Sequence, residues 1–96
     1  MIVSFGNAAT EALYHGWRTG VVRRFPADVV VRARRKLDLL EAARRLEDLA
    51  KVPGNRLETL RGDRVGFHSI RVNEQWRIVF RWTLHGAALV SLVDCH

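Results

Sequence analysis

The sequence of residues 55–82, which decides the fold, is NRLETLRGDRVGFHSIRVNEQWRIVFRW. In its last third, bulky apolar residues occupy every second position: Trp76, Ile78, Phe80 and Trp82. Arg77, Val79 and Arg81 alternate with them. A spacing of two is typical of a β-strand with one buried face. This segment therefore predicts a strand of a sheet that has an apolar back and an arginine-rich front.

The residues before this strand predict two more strands. Residues 67–72 alternate in the same way, and the polar pair Asn73-Glu74 suits a hairpin connection to the last strand. Gly62-Asp63 separates residues 56–61 from the strand at residues 67–72 and marks another turn. Together the three segments predict an antiparallel meander, and its apolar back needs a cover.

The cover is predicted from the N-terminal half of the chain. Residues 1–5 are expected to form a short strand, and residues 8–15 a short helix. Residues 27–43 carry apolar side chains at steps of three and four, which predicts the one strong helix of the chain. Pro26 suits the first turn of that helix, because the N–H that proline lacks would be unpaired there. Residues 46–50 are expected to add a short helical turn.

A final strand is predicted at residues 87–93. The expected order is a strand, two helices and then four strands, or β-α-α-β-β-β-β. This is an α+β fold in which the helices pack on one side of a largely antiparallel sheet. The length of 96 residues favours a single domain that spans residues 1–96.

The charge balance favours a polyanionic or acidic partner. The chain has 16 basic and 10 acidic residues, and its net charge is +6. Only Lys36 and Lys51 are lysines, and the planar guanidinium of the remaining basic residues suits phosphate recognition. A GC-biased genome would produce the same preference for arginine, so composition alone does not identify the partner.

The cysteine and histidine content predicts neither a disulfide nor a metal site. Cys95 is the only cysteine, so an intrachain disulfide and a thiolate metal cluster are both ruled out. The four histidines lack zinc-ligand spacing, and we expect no cofactor. The sequence shows no secretory signal and no stretch of about 20 apolar residues, so we expect a cytoplasmic protein with no membrane contact.

Three motifs follow one another along the chain: RLETLRGDR at residues 56–64, GFHSIRV at residues 66–72 and QWRIVFR at residues 75–81. Their order and spacing resemble those of the HigB type of toxin, within the RelE/ParE superfamily of bacterial toxin–antitoxin systems. The opening MIVSF and the C-terminal Asp94-Cys95-His96 are similar to the start and the D-Y-H ending of these toxins. The resemblance therefore runs from the first residue to the last.

This resemblance implies a RelE-like fold and the toxin component of a type II toxin–antitoxin system. It implies a ribosome-dependent endoribonuclease, an mRNA interferase, that cuts by acid–base chemistry without a metal. The implied partners are mRNA on the ribosome and a HigA-like antitoxin that carries a helix-turn-helix domain. Operator DNA would be contacted only through that antitoxin.

Metal-free RNA cleavage needs a base for the 2′-hydroxyl, an acid for the leaving oxygen and a cation for the charge that develops on the phosphate. The resemblance implies Glu58, His96 and Arg77 for these roles. Asp94 is the fourth catalytic residue that it implies, and we expect all four on the front of the sheet. Four further arginines are expected to bind RNA: Arg61, Arg64, Arg71 and Arg81.

Two positions depart from the family pattern in ways that bear on activity. Glu58 stands where the toxins commonly have a histidine, and Cys95 replaces a tyrosine that could stack on a base. Two alternatives therefore stay open. One is a non-catalytic toxin of the ParE kind that inhibits gyrase, and the other is a degenerate toxin that acts only as antitoxin partner or co-repressor. The strand pattern by itself also fits Arg77 as an ordinary solvated arginine.

Overall fold

The structure is a computed structural model that describes residues 1–17 and 20–94. Arg18, for which the sequence predicts an exposed position, and the C-terminal Cys95 and His96 lie outside the described residues. The helices are α1 (Ala8–His15), α2 (Ala27–Ala42) and α3 (Leu46–Ala50), and the strands are β1 (Glu58–Thr59), β2 (Phe67–Arg71), β3 (Trp76–Thr83) and β4 (Gly86–Asp94). The four strands form one antiparallel sheet in the order β1-β2-β3-β4. The predicted α+β architecture is confirmed.

The core lies between α2 and the back of the sheet, which is the side that carries Ile78 and Phe80. Four side chains of α2 at steps of three and four are at most 1% exposed: Val29, Ala33, Leu37 and Leu40. They form one apolar cluster with Ile70, Ile78 and Phe80, which are fully buried. The 16-residue helix forms despite its run of valines because its apolar stripe is covered along its length. No helix in the described residues is long and apolar enough to cross a membrane.

Helix α1 is bounded by a capping residue at each end. The Oδ1 of Asn7 accepts a hydrogen bond from the backbone N–H of Thr10 at 2.9 Å, and Gly16 ends the helix at φ 71°. The buried hydroxyl of Thr10 in turn accepts from the backbone N–H of Leu92 at 2.9 Å. This bond fixes α1 against β4.

The N-terminal segment does not form the predicted regular strand at residues 1–5. It runs parallel to β4 and makes two isolated bridges, Ile2 with Ala87 and Phe5 with Val90. The ladder is interrupted because Leu89 has φ 53° and sits at a bulge between β3 and β4. The hydroxyl of Ser4 accepts from the Leu89 N–H at 2.9 Å instead.

The first strand of the meander is also shorter than the predicted segment at residues 56–61. Only Glu58–Thr59 pair with β2 as a regular strand. Arg56 adopts φ 44°, which takes the chain out of the extended region, and a 3₁₀ turn at Gly62–Arg64 follows. The first of these departures lies beside Arg77, whose Nη2 donates to the Arg56 carbonyl oxygen.

Candidate functional site

Arg77 is the most firmly held charged side chain on the front of the sheet. Its Nε donates to the Ser69 hydroxyl at 2.8 Å, and its Nη2 donates to the carbonyl oxygens of Arg56 at 2.7 Å and Ser69 at 3.3 Å. The Arg77 side chain is only 15% exposed, and Ser69 is 1% exposed. These bonds fix the plane of the guanidinium, which is the condition for a precise phosphate contact.

The backbone that supplies one of these acceptors is itself anchored by Asn55. The Asn55 side chain is fully buried, accepts from the ammonium of Lys36 and donates to the Leu49 carbonyl oxygen at 3.0 Å. The backbone carbonyl oxygen of Asn55 accepts from the backbone N–H of Arg71 at 2.7 Å. The segment before β1 is thus tied to α2, α3 and β2, and it holds the strained Arg56 in place. Burial lowers the pKa of the Lys36 ammonium.

Glu58 lies beside Arg77 on the same side of the sheet. It pairs with Ser69 in the β1–β2 register, and its Oε1 is 3.8 Å from Nη1 of Arg77. The Glu58 side chain is 61% exposed, so the ion pair contributes little stability, less than about 1 kcal/mol. Its carboxylate is open to a ligand from solvent, at a short distance from a fixed cation.

The side chains of Glu58 and Arg77 line a groove of about 530 Å³ on the front of the sheet. Four arginines contribute to its walls, Arg56, Arg64, Arg71 and Arg77, and we call it the arginine groove. Two glutamates, Glu58 and Glu74, are its acidic members. A groove with this excess of guanidinium groups favours a phosphate-bearing ligand. Across residues 1–17 and 20–94, no cluster of three or more His, Cys, Asp or Glu could hold a metal ion.

Comparison with known proteins identifies the family. A sequence model described as the RelE-like toxin of the type II toxin–antitoxin system HigB matches residues 4–96. The chain belongs to the HigB-like toxin family. Toxin HigB-1 of Vibrio cholerae is 43% identical over 74 residues, which is 77% of either chain. Endoribonuclease HigB of Proteus vulgaris is 31% identical over 96 residues, which covers both chains completely.

A solved structure shows the same fold as this HigB-like toxin. The YoeB/ParE toxin from Agrobacterium tumefaciens superposes with a TM-score of 0.53 at 22% identity, over 99% of this chain and 94% of the other. The resemblance to HigB-type toxins and the predicted α+β fold are both confirmed. Toxins of type II systems are paired with an antitoxin, so membership of the family also implies an antitoxin partner.

The structure brings together only some of the residues that the sequence singled out in this HigB-like toxin. Arg64 and Arg71 line the arginine groove with Glu58 and Arg77, whereas the exposed Arg61 and Arg81 do not. His96 lies outside the described residues, so its place relative to the groove stays a prediction.

The expected position of Asp94 on the front of the sheet is wrong. Asp94 pairs with Trp76, whose ring packs against Phe25 and the core on the back. Its Oδ2 accepts from the Gln75 amide at 2.8 Å. Paired residues of antiparallel strands point to the same side, so Asp94 points to the opposite side from Arg77.

The His68 side chain contacts other residues of the protein on the back of the sheet. Its Nδ1 is 3.1 Å from the Thr59 hydroxyl, and its ring lies 5.9 Å from that of Phe80. Burial lowers the pKa of the imidazole. Because His68 faces the back of the sheet with Phe80, it is separated from the arginine groove by the sheet itself.

The groups that hold Arg77 are not identified by the sequence patterns. Strand alternation places Ser69 on the front of the sheet but gives it no role, and it gives none to Arg56 or Asn55. A small hydroxyl next to an arginine on the same side of a hairpin could have pointed to Ser69. Nothing in the sequence marks Arg56, because a left-handed arginine carries no signal of the kind that glycine gives.

Proposed function

We propose that this chain is an endoribonuclease toxin that cuts mRNA on the ribosome by acid–base catalysis. The observation that carries the proposal is the fixed guanidinium of Arg77 with the Glu58 carboxylate 3.8 Å away, inside a groove rich in arginine. Its similarity over the full length to a protein named Endoribonuclease HigB supports the same activity.

The proposed reaction uses the 2′-hydroxyl of the RNA as nucleophile. Glu58 accepts the proton of that hydroxyl as its oxygen bonds to the adjacent phosphorus. Arg77 donates hydrogen bonds to the non-bridging phosphate oxygens, where negative charge increases in the transition state. The bond from phosphorus to the 5′-oxygen then breaks, and His96 protonates that oxygen. The products are a 2′,3′-cyclic phosphate and a free 5′-hydroxyl.

The C-terminus is proposed to supply the acid. His96 follows β4 by two residues, and β4 ends at Asp94. Because Asp94 accepts from Gln75 on the back of the sheet, we assign it the role of positioning the last residues rather than of touching RNA. A tag directly after His96 would alter the surroundings of the proposed acid, so activity assays need an untagged or N-terminally tagged protein.

The finer identity of the partners is also proposed. We infer a HigA-like antitoxin with a helix-turn-helix domain, which alone would contact operator DNA. An acidic segment of that antitoxin would complement the arginine groove by charge. A toxin that acts on ribosomes acts in the cytoplasm, so we place its activity there.

The direct test is a bacterial cell-free translation extract programmed with one defined mRNA. Its 5′ ends are mapped by primer extension after addition of untagged toxin. We expect new ends inside the coding region, and we expect them to disappear when translation initiation is blocked. Intact mRNA in the presence of toxin, together with inhibition of gyrase supercoiling, would instead support the ParE-like alternative.

Ser69→Ala should lower cleavage by about 10-fold, because the Nε of Arg77 then loses its hydroxyl acceptor. Ser69→Thr keeps a hydroxyl and should retain most of the activity. The matched control is Thr59→Ala, which removes a hydroxyl that contacts His68 on the back of the sheet. Single-turnover rates measure the effect. Equal cleavage rates for Ser69→Ala and Thr59→Ala would show that the Ser69 hydroxyl does not contribute to catalysis.

Binding of the toxin to RNA or ribosomes should depend strongly on salt. If the four arginines of the arginine groove contact phosphates, affinity should fall by about 50-fold between roughly 50 and 200 mM salt. Filter binding with the Glu58→Gln variant, for which we expect strongly reduced cleavage, keeps the RNA intact and retains all four arginines. Affinity that is unchanged over this range would contradict a phosphate-bearing partner.

A further inference from the structure

We propose that an apolar pocket beside the arginine groove binds a nucleobase of the RNA next to the phosphate that Arg77 holds. The pocket has a volume of about 260 Å³, and its apolar walls are Phe67, Val79, Leu89 and Val93. We call it the base pocket. The proposal rests on the proposed ribonuclease function and adds a substrate subsite to it.

The position of the base pocket follows from the register of the sheet. Val79 and Arg64 line both the base pocket and the arginine groove. Val79 follows Arg77 by two residues on the same side of β3, which places the two Cα atoms about 6.6 Å apart. Val93 is the direct partner of Arg77 on β4. Arg77 therefore stands on the border between a cationic subsite and an apolar one, the arrangement that a nucleotide needs for its phosphate and its base.

The chemistry of the walls suits a stacked base. The half-buried ring of Phe67 and the side chain of Val79, which is 6% exposed, provide apolar surface at the floor. Aromatic side chains bind bases of single-stranded RNA by stacking. The Ser91 hydroxyl donates to the Leu89 carbonyl oxygen at 3.3 Å, so its lone pairs can accept from an exocyclic amino group of a base.

Leu89 supplies independent support, because its backbone is strained without a gain in burial. It adopts φ 53°, a conformation in which glycine or asparagine would cost less, and its side chain is 46% exposed. Ser4 and Ser91 each hydrogen-bond to its backbone and hold this conformation. Backbone strain of this kind clusters at binding and active sites. We infer that leucine is present at the bulge because its side chain forms a wall of the base pocket.

The Leu89→Gly variant tests binding in the base pocket without a loss of protein stability. The substitution relieves the positive φ, so the melting temperature should stay the same or rise, while the pocket loses a wall. In the translation extract, we expect cleavage to slow by about 10-fold and the nucleotide preference next to the cut to weaken. Phe67→Leu, which keeps apolar volume but removes the ring, should show the same change in preference.

The matched control is Leu84→Gly in the turn between β3 and β4, where the leucine is 96% exposed and far from both sites along the strand. It should cut at the wild-type rate and at the wild-type positions. The result expected from the base pocket is a change of rate and cut-site preference in Leu89→Gly and Phe67→Leu alone.

Three results would overturn the proposal in distinguishable ways. If wild-type toxin cuts nothing, the proposed ribonuclease function fails, and the base pocket fails with it. If wild type cuts and both pocket variants match it in rate and position, the ribonuclease stands and the base pocket is wrong. If Leu89→Gly cuts normally but loses affinity for the antitoxin, the pocket binds a side chain of the antitoxin instead of a nucleobase.

Discussion

Arg77→Ala should reduce mRNA cleavage by about 100-fold or more, comparable to the loss of one oxyanion donor from an active site. The reason is geometric as well as electrostatic. The guanidinium is held by Ser69 and by the Arg56 carbonyl, so its charge needs no reorganisation when the phosphate becomes more negative. Arg77→Lys keeps the charge but cannot reproduce the forked contacts, and we expect it to recover only part of the rate.

Arg81→Ala is the matched control for this prediction. Arg81 lies four residues further along β3, is exposed and does not line the arginine groove, yet its removal changes the net charge by the same amount. We expect a loss of no more than a few-fold, from weaker general attraction to RNA. Rates of single-turnover cleavage measure both variants. Equal losses for the two arginines would mean that Arg77 contributes only general attraction to RNA and makes no precisely placed contact with the reacting phosphate.

Glu58→Gln should reduce cleavage by about 100-fold to 10,000-fold, the range for loss of a general base. Glutamine has the same shape as glutamate but accepts no proton from the 2′-hydroxyl. Glu74→Gln is the matched control, because Glu74 lines the same groove and carries the same charge. We expect Glu74→Gln to keep or raise the rate, since it removes negative charge from a phosphate site.

The Glu58→Gln result also decides how this chain compensates for the histidine that similar toxins commonly have at this position. Cleavage at the wild-type rate would show that another group accepts the proton. A large loss that is specific to Glu58 would show that a carboxylate 3.8 Å from Arg77 performs that role.

The sheet was predictable because strand alternation is a local property. Trp76, Ile78 and Phe80 recur at every second position of β3, and this spacing predicts which side of the strand is buried. The same alternation places Asp94 with Leu92 on the back, as the register shows, so its expected place beside Arg77 conflicted with the pattern itself. The bulge at Leu89 could not be predicted, because the sequence there has no glycine to mark it.

The site was predictable only in part, and for a physical reason. Glu58 and Arg77 were identified by resemblance, but the bond from Arg77 to the Arg56 carbonyl joins residues 21 positions apart. The buried Asn55 that anchors this segment contacts Lys36, 19 positions away. Such contacts depend on how α2 and the sheet pack, and local sequence patterns do not report that packing.

The most direct test of the central claim is a mapping of mRNA 5′ ends in one translation extract treated in parallel with wild-type toxin, Arg77→Ala and Arg81→Ala. The three proteins are prepared without a C-terminal tag and at equal concentration. We predict the same set of internal cuts with wild type and Arg81→Ala, and their loss with Arg77→Ala. Cuts at the same positions and rates with Arg77→Ala would contradict the assignment of the arginine groove as the catalytic site.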